Sequence, residues 1–518
     1  MRDEPGTLYQ DEQFVKLFSS EGQPALAPWR LALITVLQFV EGLSDRQAAE
    51  MGRSRIDWKY LLSLELTDSG FHYSVLSEFR GRLLEGQAEY LLLDQLLTQV
   101  RERKLIKAKG LQRTDSTHVL AAVRLLNRLE MLGETLRAAL NSLAVAAPEW
   151  LVEQIPAEWF DLYGRRIVEY RLPEKESERT EWALDCGVAG YSLWQVLGQN
   201  EELNWLRRLP ALETLRQVWL QQFWLEDDQV RLRSEDNEPP PGMRIHSPYD
   251  VEARYATKRD LHWLGYKVHL TESCDGDSPN LITQVHTTAA TVPDVKATTP
   301  IQQNLVAREL APNQHIVDGG YISADQVIKS QLEQGIELCG PLRVDASWQG
   351  QTSKGYAVNC FKLDWEAQKA VCPQGKVSQK WQVKTDNKGQ EYVYIAFAKQ
   401  DCQHCAVREA CTRQVKIGRI IRLRTKVEHQ VLEQTRQNSS RSLLNLRAGI
   451  EGTLSQGVRV FELRRCRYLG LAKTHLQHLI TAVAINLVRL YYWWEELPRA
   501  KSRVSRFRTL KPIASGLC

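Results

Sequence analysis

Apolar residues recur at helical spacing in the first hundred residues of the chain. The pattern runs through Trp29–Val40 and again through Tyr90–Val100, and this period predicts amphipathic helices over about 27–105. Between the two runs, Ser44 stands three residues before Gln47, which is the spacing of a capping box at the start of a helix. We therefore expect a helical N-terminal region built from several short helices.

Three basic residues follow the predicted cap and allow two interpretations. Arg53, Arg55 and Lys59 lie just downstream of it, and short helices of this kind can form a helix-turn-helix that contacts DNA. A plain helical bundle with a solvated basic face explains the same residues. The sequence leaves both interpretations open.

The pattern then changes to short β-branched and apolar runs. Strands are predicted at Arg113–Val119, Trp263–Leu270, Leu281–Thr287, His315–Asp318 and Ile336–Leu342, with helices at Asp294–Leu310 and Ser323–Gln334. Strands that alternate with helices are typical of an α/β fold. We expect a sheet that is parallel at least in part.

Two long segments interrupt this α/β pattern. A helical segment runs from about Val123 to Glu235 and holds seven of the fifteen tryptophans; we expect most of these to pack in its core, with stacking on a base as the alternative. The linker Pro239–Gly242 ends it. A cysteine-rich segment spans about Val344–Arg424, and helices are predicted after it at Val431–Leu446 and Leu476–Trp493.

Basic residues are clustered, although the formal net charge of the 518-residue chain is only +4. Residues 441–473 hold seven Lys or Arg against two acids, and Arg499–Lys511 holds six basic residues and no acid. Such clusters suit contact with phosphate groups, which depends on local rather than net charge. Solvated helix faces are the alternative explanation.

No segment predicts export or membrane insertion. The first residues lack an apolar signal region, and the longest apolar runs fall short of the roughly 18 residues that a membrane span needs. We therefore expect a cytoplasmic protein with no membrane partner. In that reducing compartment, the ten cysteines are better explained as thiols or metal ligands than as disulfides.

Two aspartates in the predicted strands are the first candidates for chemistry. Asp115 lies in the first strand, and Asp318 ends a later strand just before Gly319 and Gly320. Ligands collect beyond strand ends in such sheets. Two carboxylates placed there would repel each other unless a divalent cation such as magnesium joined them. For each residue alone, a turn or cap position is the alternative explanation.

A third acid is expected from elsewhere in the fold, and Glu451 is the best candidate. It lies at the predicted end of a helix, with Arg447 one turn earlier on the same face. That arginine could orient the carboxylate or meet a phosphate group. An ordinary surface Glu–Arg pair is the alternative, and the rival acids are Glu428, Glu433 and Glu462.

The cysteine-rich segment carries a separate metal-binding pattern. Cys402 and Cys405 form a C-x-x-C pair, Cys411 follows, and Cys372 lies upstream. Four thiolates at such spacing are typical of a closed, structural zinc site. Cys360 or His404 could replace one member, and a set of buried free cysteines is the alternative.

Together these residues resemble the DDE transposases of bacterial insertion sequences, specifically the large branch with a helical N-terminal domain and an RNase H-like catalytic core. The matching segments are Thr114–Thr117, Trp263–His269, Val317–Tyr321, Arg447–Glu451 and Arg464–Lys473. The resemblance covers nearly the whole chain and implies that Asp115, Asp318 and Glu451 form the catalytic set. One departure concerns the third acid, because the related signature has Tyr and Lys where this chain has Leu444 and Val458.

The resemblance also implies cofactors and partners. The three acids would hold two magnesium ions, or manganese, for phosphoryl transfer. The substrate would be double-stranded DNA, both the terminal inverted repeats of the element and its target, bound by a homodimer. The residues expected to contact this DNA are Lys267, Arg447, Arg459, Arg464, Arg465, Arg467 and Lys473.

These expectations define an α/β fold with an RNase H-like core, a helical N-terminal domain and two insertions. The expected parts are a helical DNA-binding domain at 1–108, the first part of the core at 109–122 and 244–343, a helical insertion at 123–243, a zinc-binding insertion at 344–426, the C-terminal helices of the core at 427–495 and a basic tail at 496–518.

Two other functions remain compatible with the sequence. One is a catalytically inert DNA-binding protein derived from a transposase. The other is a metal-dependent DNA nuclease of the same fold, because nicking and joining use the same carboxylates. The complete set of three acids favours the active transposase.

Overall fold

The computed structural model describes residues 8–19, 26–199, 201–342, 347–352, 354–387, 389–414 and 416–497. The basic cluster at Arg499–Lys511, which belongs to the expected tail, lies outside the described residues.

The N-terminal region is helical, as the apolar period predicts. A 3-10 helix at Asp11–Leu17 precedes α1 (Pro28–Glu41), α2 (Asp45–Ser54), α3 (Ile56–Leu62), α4 (Ser74–Glu85) and α5 (Leu91–Glu102). The predicted capping box is present, because the Ser44 side chain accepts a bond from the Gln47 backbone N–H and the Gln47 side chain accepts one from the Ser44 N–H. The helix start at residue 45 is therefore fixed by its own local sequence.

A mixed sheet forms the centre of the molecule. Its strands are β1 (Leu111–Leu120), β4 (Arg254–Lys258), β5 (Leu261–Ser273), β6 (Ile282–Ala289), β7 (Gln314–Ile316) and β8 (Glu337–Cys339). Strands β2 (Phe223–Glu226) and β3 (Gln229–Leu232) form a separate hairpin. β5 runs antiparallel to β1, β4 and β6, and β7 runs parallel to both β1 and β8. The mixed α/β arrangement confirms the expectation of a partly parallel sheet.

Two helices pack against each other and against the sheet, one contacting β6 and the other β8. They are α11 (Asp294–Ala307) and α12 (Ala324–Gln334), and each lies close to its predicted range. Ser323 caps α12, because its side chain accepts a bond from the Gln326 N–H. Gly335 ends the helix in the left-handed conformation, which glycine adopts without a steric penalty.

The segment between β1 and β4 is mostly helical and has its own apolar core. It contains α6 (Arg128–Ala146), α7 (Pro148–Gln154), α8 (Glu158–Tyr163), α9 (Glu176–Gln199), α10 (Pro210–Gln222) and the hairpin of β2 (Phe223–Glu226) and β3 (Gln229–Leu232). Trp219 is buried in this core, and Trp150, Trp159, Trp182 and Trp194 pack against it. Most of the tryptophans therefore have the packing role expected of them.

The cysteine-rich segment folds into small sheets around a small core. Its elements are α13 (Trp348–Gln351), β9 (Lys362–Asp364), β10 (Lys369–Val371), β11 (Lys380–Thr385), β12 (Glu391–Ala396), α14 (Lys399–Gln403), α15 (Arg408–Cys411) and β13 (Ile420–Leu423). Its buried apolar residues are Phe361, Ala370, Val393, Ile395, Phe397, Ile421 and Leu423. A core of this size gives limited stability by itself.

Four helices complete the described part of the chain. They are α16 (Lys426–Asn438), α17 (Arg441–Arg447), α18 (Gly449–Val460) and α19 (Leu471–Trp494). The single helix predicted at Val431–Leu446 is wrong, because the chain breaks at Ser439 and Ser440 caps the new helix α17 through the Leu443 N–H. Within the described part of the chain, no helix is long and apolar enough to cross a membrane.

A buried ion cluster joins the sheet to these C-terminal helices. Glu272 of β5 is 0% exposed; its carboxylate lies 2.6 Å from the Arg113 guanidinium of β1 and 2.8 Å from the Arg489 guanidinium of α19. The Thr453 hydroxyl of α18 donates to the same carboxylate. One buried acid thus links two strands and two helices.

Replacing Glu272 by Gln is expected to destabilise the protein strongly. The substitution keeps the shape but leaves two largely buried guanidinium groups without their counter-charge, which typically costs about 3–5 kcal/mol. Equilibrium unfolding in urea would measure the change. Glu50→Gln is the control, because it breaks a solvent-exposed pair with Arg53, and we expect no measurable change in its unfolding midpoint. Equal midpoints for the two variants would contradict the assigned role of Glu272.

Candidate active site

Asp115 and Asp318 lie on neighbouring parallel strands at the same level. Leu111 of β1 pairs with Gln314 of β7, and Arg113 pairs with Ile316. Continuing this register by two residues places Asp115 level with Asp318, and residues at equivalent levels of parallel strands face the same side. The structure therefore brings these two acids together, although Asp318 follows the end of β7.

Each aspartate is oriented by a backbone N–H group. The Ser116 N–H donates to Asp115 Oδ1 at 2.7 Å, and the Gly320 N–H donates to Asp318 Oδ1 at 2.8 Å. The remaining oxygen of Asp115, Oδ2, accepts a bond from the Arg447 guanidinium at 3.0 Å. These contacts fix the orientation of both carboxylates at one edge of the sheet.

Glu451 reaches this edge through Arg447. The guanidinium of Arg447 bonds Asp115 with one nitrogen and Glu451 Oε1 with the other, each at 3.0 Å. Glu451 lies in the first turn of α18 rather than at the end of a helix, which corrects the predicted position. Its side chain is 64% exposed, so it can change rotamer at little cost.

The junction between α17 and α18 is held against β1. The Arg113 guanidinium donates to the Leu446 carbonyl, immediately before Arg447. A Cβ atom on Gly449 would lie 2.2 Å from Arg113 Nη1, a separation that no side chain tolerates. Glycine at 449 therefore allows the close approach that brings Arg447 and Glu451 over Asp115.

The electrostatic setting of Asp115 is unfavourable for a charged carboxylate. Burial raises the pKa of Asp115, and the neighbouring Asp318 raises it further, while the Ser116 N–H and Arg447 oppose the shift. A buried carboxylate beside another acid gains more than an exposed one from a bound cation. The site therefore favours positive charge, which Arg447 supplies in this structure.

The donor set suits a hard divalent ion only in part. Among the described residues, no group of three or more His, Cys, Asp or Glu side chains stands close enough to hold a metal ion. Asp115 and Asp318 offer adjacent carboxylate oxygens, the ligands that magnesium prefers. Glu451 is separated from them by Arg447 and would have to move to become a third ligand.

A second ion pair, not identified from the sequence, lies beside Asp318. Lys267 was expected to contact DNA, but its ammonium donates to Asp294 Oδ1 at 3.0 Å and to the Val292 carbonyl at 2.6 Å. The sequence placed Asp294 only at the start of a helix. The feature of the sequence that could have indicated a role at the site is the position of Asp294 in the first turn of α11, beside the edge where the strands end.

Comparison with protein families places transposase domains at both ends of the chain. Residues 371–491 match the family described as Transposase DDE domain, and residues 6–82 match the family described as Transposase domain (DUF772). The chain carries transposase domains. The resemblance to insertion-sequence DDE transposases is thereby confirmed. No curated protein and no solved structure matches the chain.

One of the two matches includes part of the candidate site. The DDE match at 371–491 includes Arg447, Glu451 and the four clustered cysteines, whereas Asp115 and Asp318 lie outside both matched segments. The geometry of β1 and β7 is therefore the independent support for the first two acids.

The other basic residues that the sequence analysis places at DNA have different surroundings. Arg464 donates to the Thr117 hydroxyl at 2.7 Å, two residues beyond Asp115 on β1. Arg467 packs over the Phe39 ring and donates to the Leu43 carbonyl, so it joins α1 to the C-terminal region. The residues with exposed side chains in this set are Arg459, Arg465 and Lys473.

The basic residues after the Ser44 cap interact within the N-terminal region. Arg53 pairs with Glu50, and Arg55 pairs with Glu41 and Asp57. Lys59 is buried and donates to the Glu65 and Asp68 carbonyls. These contacts favour the helical-bundle interpretation over a basic helix-turn-helix surface in this part of the chain.

The four cysteines expected to bind zinc line one cavity, together with His404. The Lys376 N–H donates to Cys372 Sγ and the Arg419 N–H donates to Cys402 Sγ, each at 3.3 Å. Burial raises the pKa of Cys411 to about 11, and the three other thiols contribute to the shift. Cys360, the alternative ligand, is exposed and does not line the cavity.

Replacing Asp115 by Asn is expected to stabilise the metal-free protein near neutral pH. The folded state raises the pKa of the Asp115 carboxyl, so the folded protein holds this proton more tightly than the unfolded chain does. The stability that this proton contributes is complete below the ordinary carboxyl pKa and is lost as pH rises through the raised value. Asn keeps the shape without the charge. Calorimetry at pH 7 should show a melting temperature about 1–2 °C above that of the wild type, and the gain should shrink toward about pH 4.

The control for this measurement is Glu433→Gln, because Glu433 is a half-exposed helical acid paired with Arg436. Its melting temperature should follow the wild type at every pH. A melting temperature for Asp115→Asn at or below the wild type at pH 7 would show that Arg447 stabilises the charge more than burial penalises it.

Proposed function

We propose that this protein is an active DNA transposase that cleaves DNA at the ends of its element and joins those ends to a target, using Asp115, Asp318 and Glu451. The observation that carries the proposal is the register of β1 and β7, which sets Asp115 level with Asp318. Arg447, from the segment that matches the transposase DDE family, bonds both Asp115 and Glu451.

The sheet topology supports an RNase H-like core. Strands β5, β1, β7 and β8 follow one another in the sheet, with β6 and β4 both paired to β5. β5 runs antiparallel to β6 and to β1, whereas β7 and β8 run parallel to β1. This is the arrangement that the resemblance to DDE transposases implies, with the first acid on the central strand and the second after the adjacent one.

The proposed cofactor is magnesium or manganese. Two such ions, when bound, would activate a water or a 3′-hydroxyl and stabilise the leaving oxygen. Asp115 and Asp318 would hold them between their adjacent carboxylates. Glu451 would join once Arg447 turned away from Asp115, a change that exposure of Glu451 permits.

Arginine and lysine side chains of the chain would neutralise and orient the DNA phosphates. Arg447, after release from Asp115, would lie one helical turn from Glu451 and could neutralise the scissile phosphate. Arg464, bonded to Thr117, would stand on the other side of Asp115. The exposed Arg459, Arg465 and Lys473 would contact flanking phosphates of double-stranded DNA, and we propose that a homodimer holds the two element ends.

Two variants of this function use the same residues. A catalytically inert DNA-binding protein would not need Asp115 and Asp318 at one level of the sheet, so the acid pair disfavours it. A metal-dependent nuclease of the same fold would need the pair but would not join the cut ends. The products of the reaction therefore distinguish these possibilities.

Asp115→Asn and Asp318→Asn should each abolish DNA cleavage without loss of DNA binding. The assay is magnesium-dependent cleavage of a duplex that carries the inverted repeats flanking the gene, with products resolved on a sequencing gel. Removing one ligand charge from a shared metal site should lower the rate by about a thousandfold or more. Glu451→Gln should do the same, while Glu433→Gln, the matched acid beside Arg436, should cleave normally.

Normal cleavage by Asp115→Asn or Asp318→Asn would disprove the assignment of the active site. Cleavage by the wild type without joined products, in the presence of target DNA, would identify a nuclease rather than a transposase. Binding without any magnesium- or manganese-dependent cleavage by the wild type would identify the inert DNA-binding protein.

We further propose that Cys372, Cys402, Cys405 and Cys411 hold a structural zinc ion. Their thiols line one cavity, and backbone N–H groups donate to two of the sulfur atoms, an interaction that stabilises thiolate charge. The thiols would have to draw closer to share one ion. A structural ion would offset the small apolar core of this segment.

The purified protein should contain about one equivalent of zinc. Inductively coupled plasma mass spectrometry of the wild type, of Cys405→Ser and of Cys360→Ser would test this. We expect the Cys405 variant to lose most of the metal, and the Cys360 variant to retain it because that thiol is exposed and outside the cavity. Wild-type protein with less than about half an equivalent of zinc would contradict the proposal.

A further inference from the structure

A half-buried lysine is held close to the second acid of the proposed active site. The side chains of Lys267 and Asp294 are 17% and 18% exposed, and their charged atoms lie 3.0 Å apart. The ammonium also donates to the Val292 carbonyl at 2.6 Å. Lys267 lies on β5 opposite His118 of β1, and its ammonium is directed to Asp294 in the first turn of α11.

Asp294 and Asp318 approach each other across Gly320. A Cβ atom on Gly320 would lie 3.1 Å from Asp318 Oδ1 and 3.6 Å from Asp294 Oδ2. Both carboxylates therefore stand beside the same point of the backbone. The carboxylate that holds the Lys267 ammonium therefore lies near that of Asp318.

The buried Tyr321 provides a second sign that the acids are grouped. Its hydroxyl bonds His269 Nδ1 at 2.6 Å, and its pKa is raised by burial first and then by Asp294, with smaller contributions from Asp115 and Asp318. All three carboxylates are thus close enough to influence one hydroxyl. Asp294 belongs to the same acidic surroundings as the two proposed catalytic aspartates.

We propose that Asp294 is a positioning residue that holds the Lys267 ammonium away from Asp318, so that Asp318 stays available to a divalent cation. The inference rests on the proposed function, because it concerns the metal-binding role of Asp318. Without the Asp294 charge, the ammonium would be held only by the Val292 carbonyl and would be drawn toward Asp318, the other carboxylate beside Gly320. Lysine and metal ion would then compete for Asp318.

The test measures manganese binding to the DNA-free protein by electron paramagnetic resonance, in parallel with the magnesium dependence of cleavage. Asp294→Asn should raise the dissociation constant for manganese about tenfold, a typical coupling between neighbouring charges. Cleavage at saturating magnesium should fall much less. The double variant Asp294→Asn with Lys267→Gln should recover most of the wild-type affinity, because the competing cation is gone.

The matched control is Asp94→Asn, which breaks the ion pair with Arg308 at the other end of α11. Its manganese affinity should equal that of the wild type, and thermal melts would confirm that all variants fold. Unchanged affinity in Asp294→Asn, or reduced affinity that Lys267→Gln fails to restore, would overturn the positioning role alone. Wild-type affinity that Asp115→Asn does not reduce would overturn the proposed function as well.

Discussion

The buried carboxylate of Glu272 is the constraint on which the candidate site depends. It binds Arg113 of β1 and Arg489 of α19 within the core, and the Thr453 hydroxyl of α18 completes its contacts. Arg113 also donates to the carbonyl just before Arg447. The same buried charge therefore sets the position of β1, which carries Asp115, and of the helix junction that carries Arg447 and Glu451. Breaking a buried pair is costly, so this part of the site is rigid.

The acids of the site are balanced by cations from the chain itself. Arg447 lies between Asp115 and Glu451, and Lys267 neutralises Asp294 beside Asp318. Because each cation is on a long side chain, it could withdraw if a divalent ion or a phosphate group took its place, as the proposed function requires. The counter-ions on these side chains offset the repulsion between the grouped carboxylates.

The structural features that depend on local sequence pattern could be predicted from the sequence. Fewer of the features that depend on tertiary contacts could be predicted. The strands around Asp115 and Asp318 and the Ser44 capping box follow from short-range periodicity and spacing. The pairing of Lys267 with Asp294 joins two elements through the fold, and its spacing in the chain gives no signal. Arg467 belongs to a basic cluster of the kind that contacts DNA, yet its guanidinium packs on the Phe39 ring. A charge cluster in a sequence does not show which of its side chains face the protein.

The two large additional segments are placed where they leave the contacts that position the site intact. One separates β1 from β4, and the other separates β8 from α16, so both enter between the elements that carry the three acids. Each has its own apolar core, and long connections between fixed ends add little entropy cost. The register between β1 and β7, and the Glu272 cluster, act across the chain at positions more than a hundred residues apart. The acids can therefore converge whatever the length of the intervening segments, provided that those few contacts form.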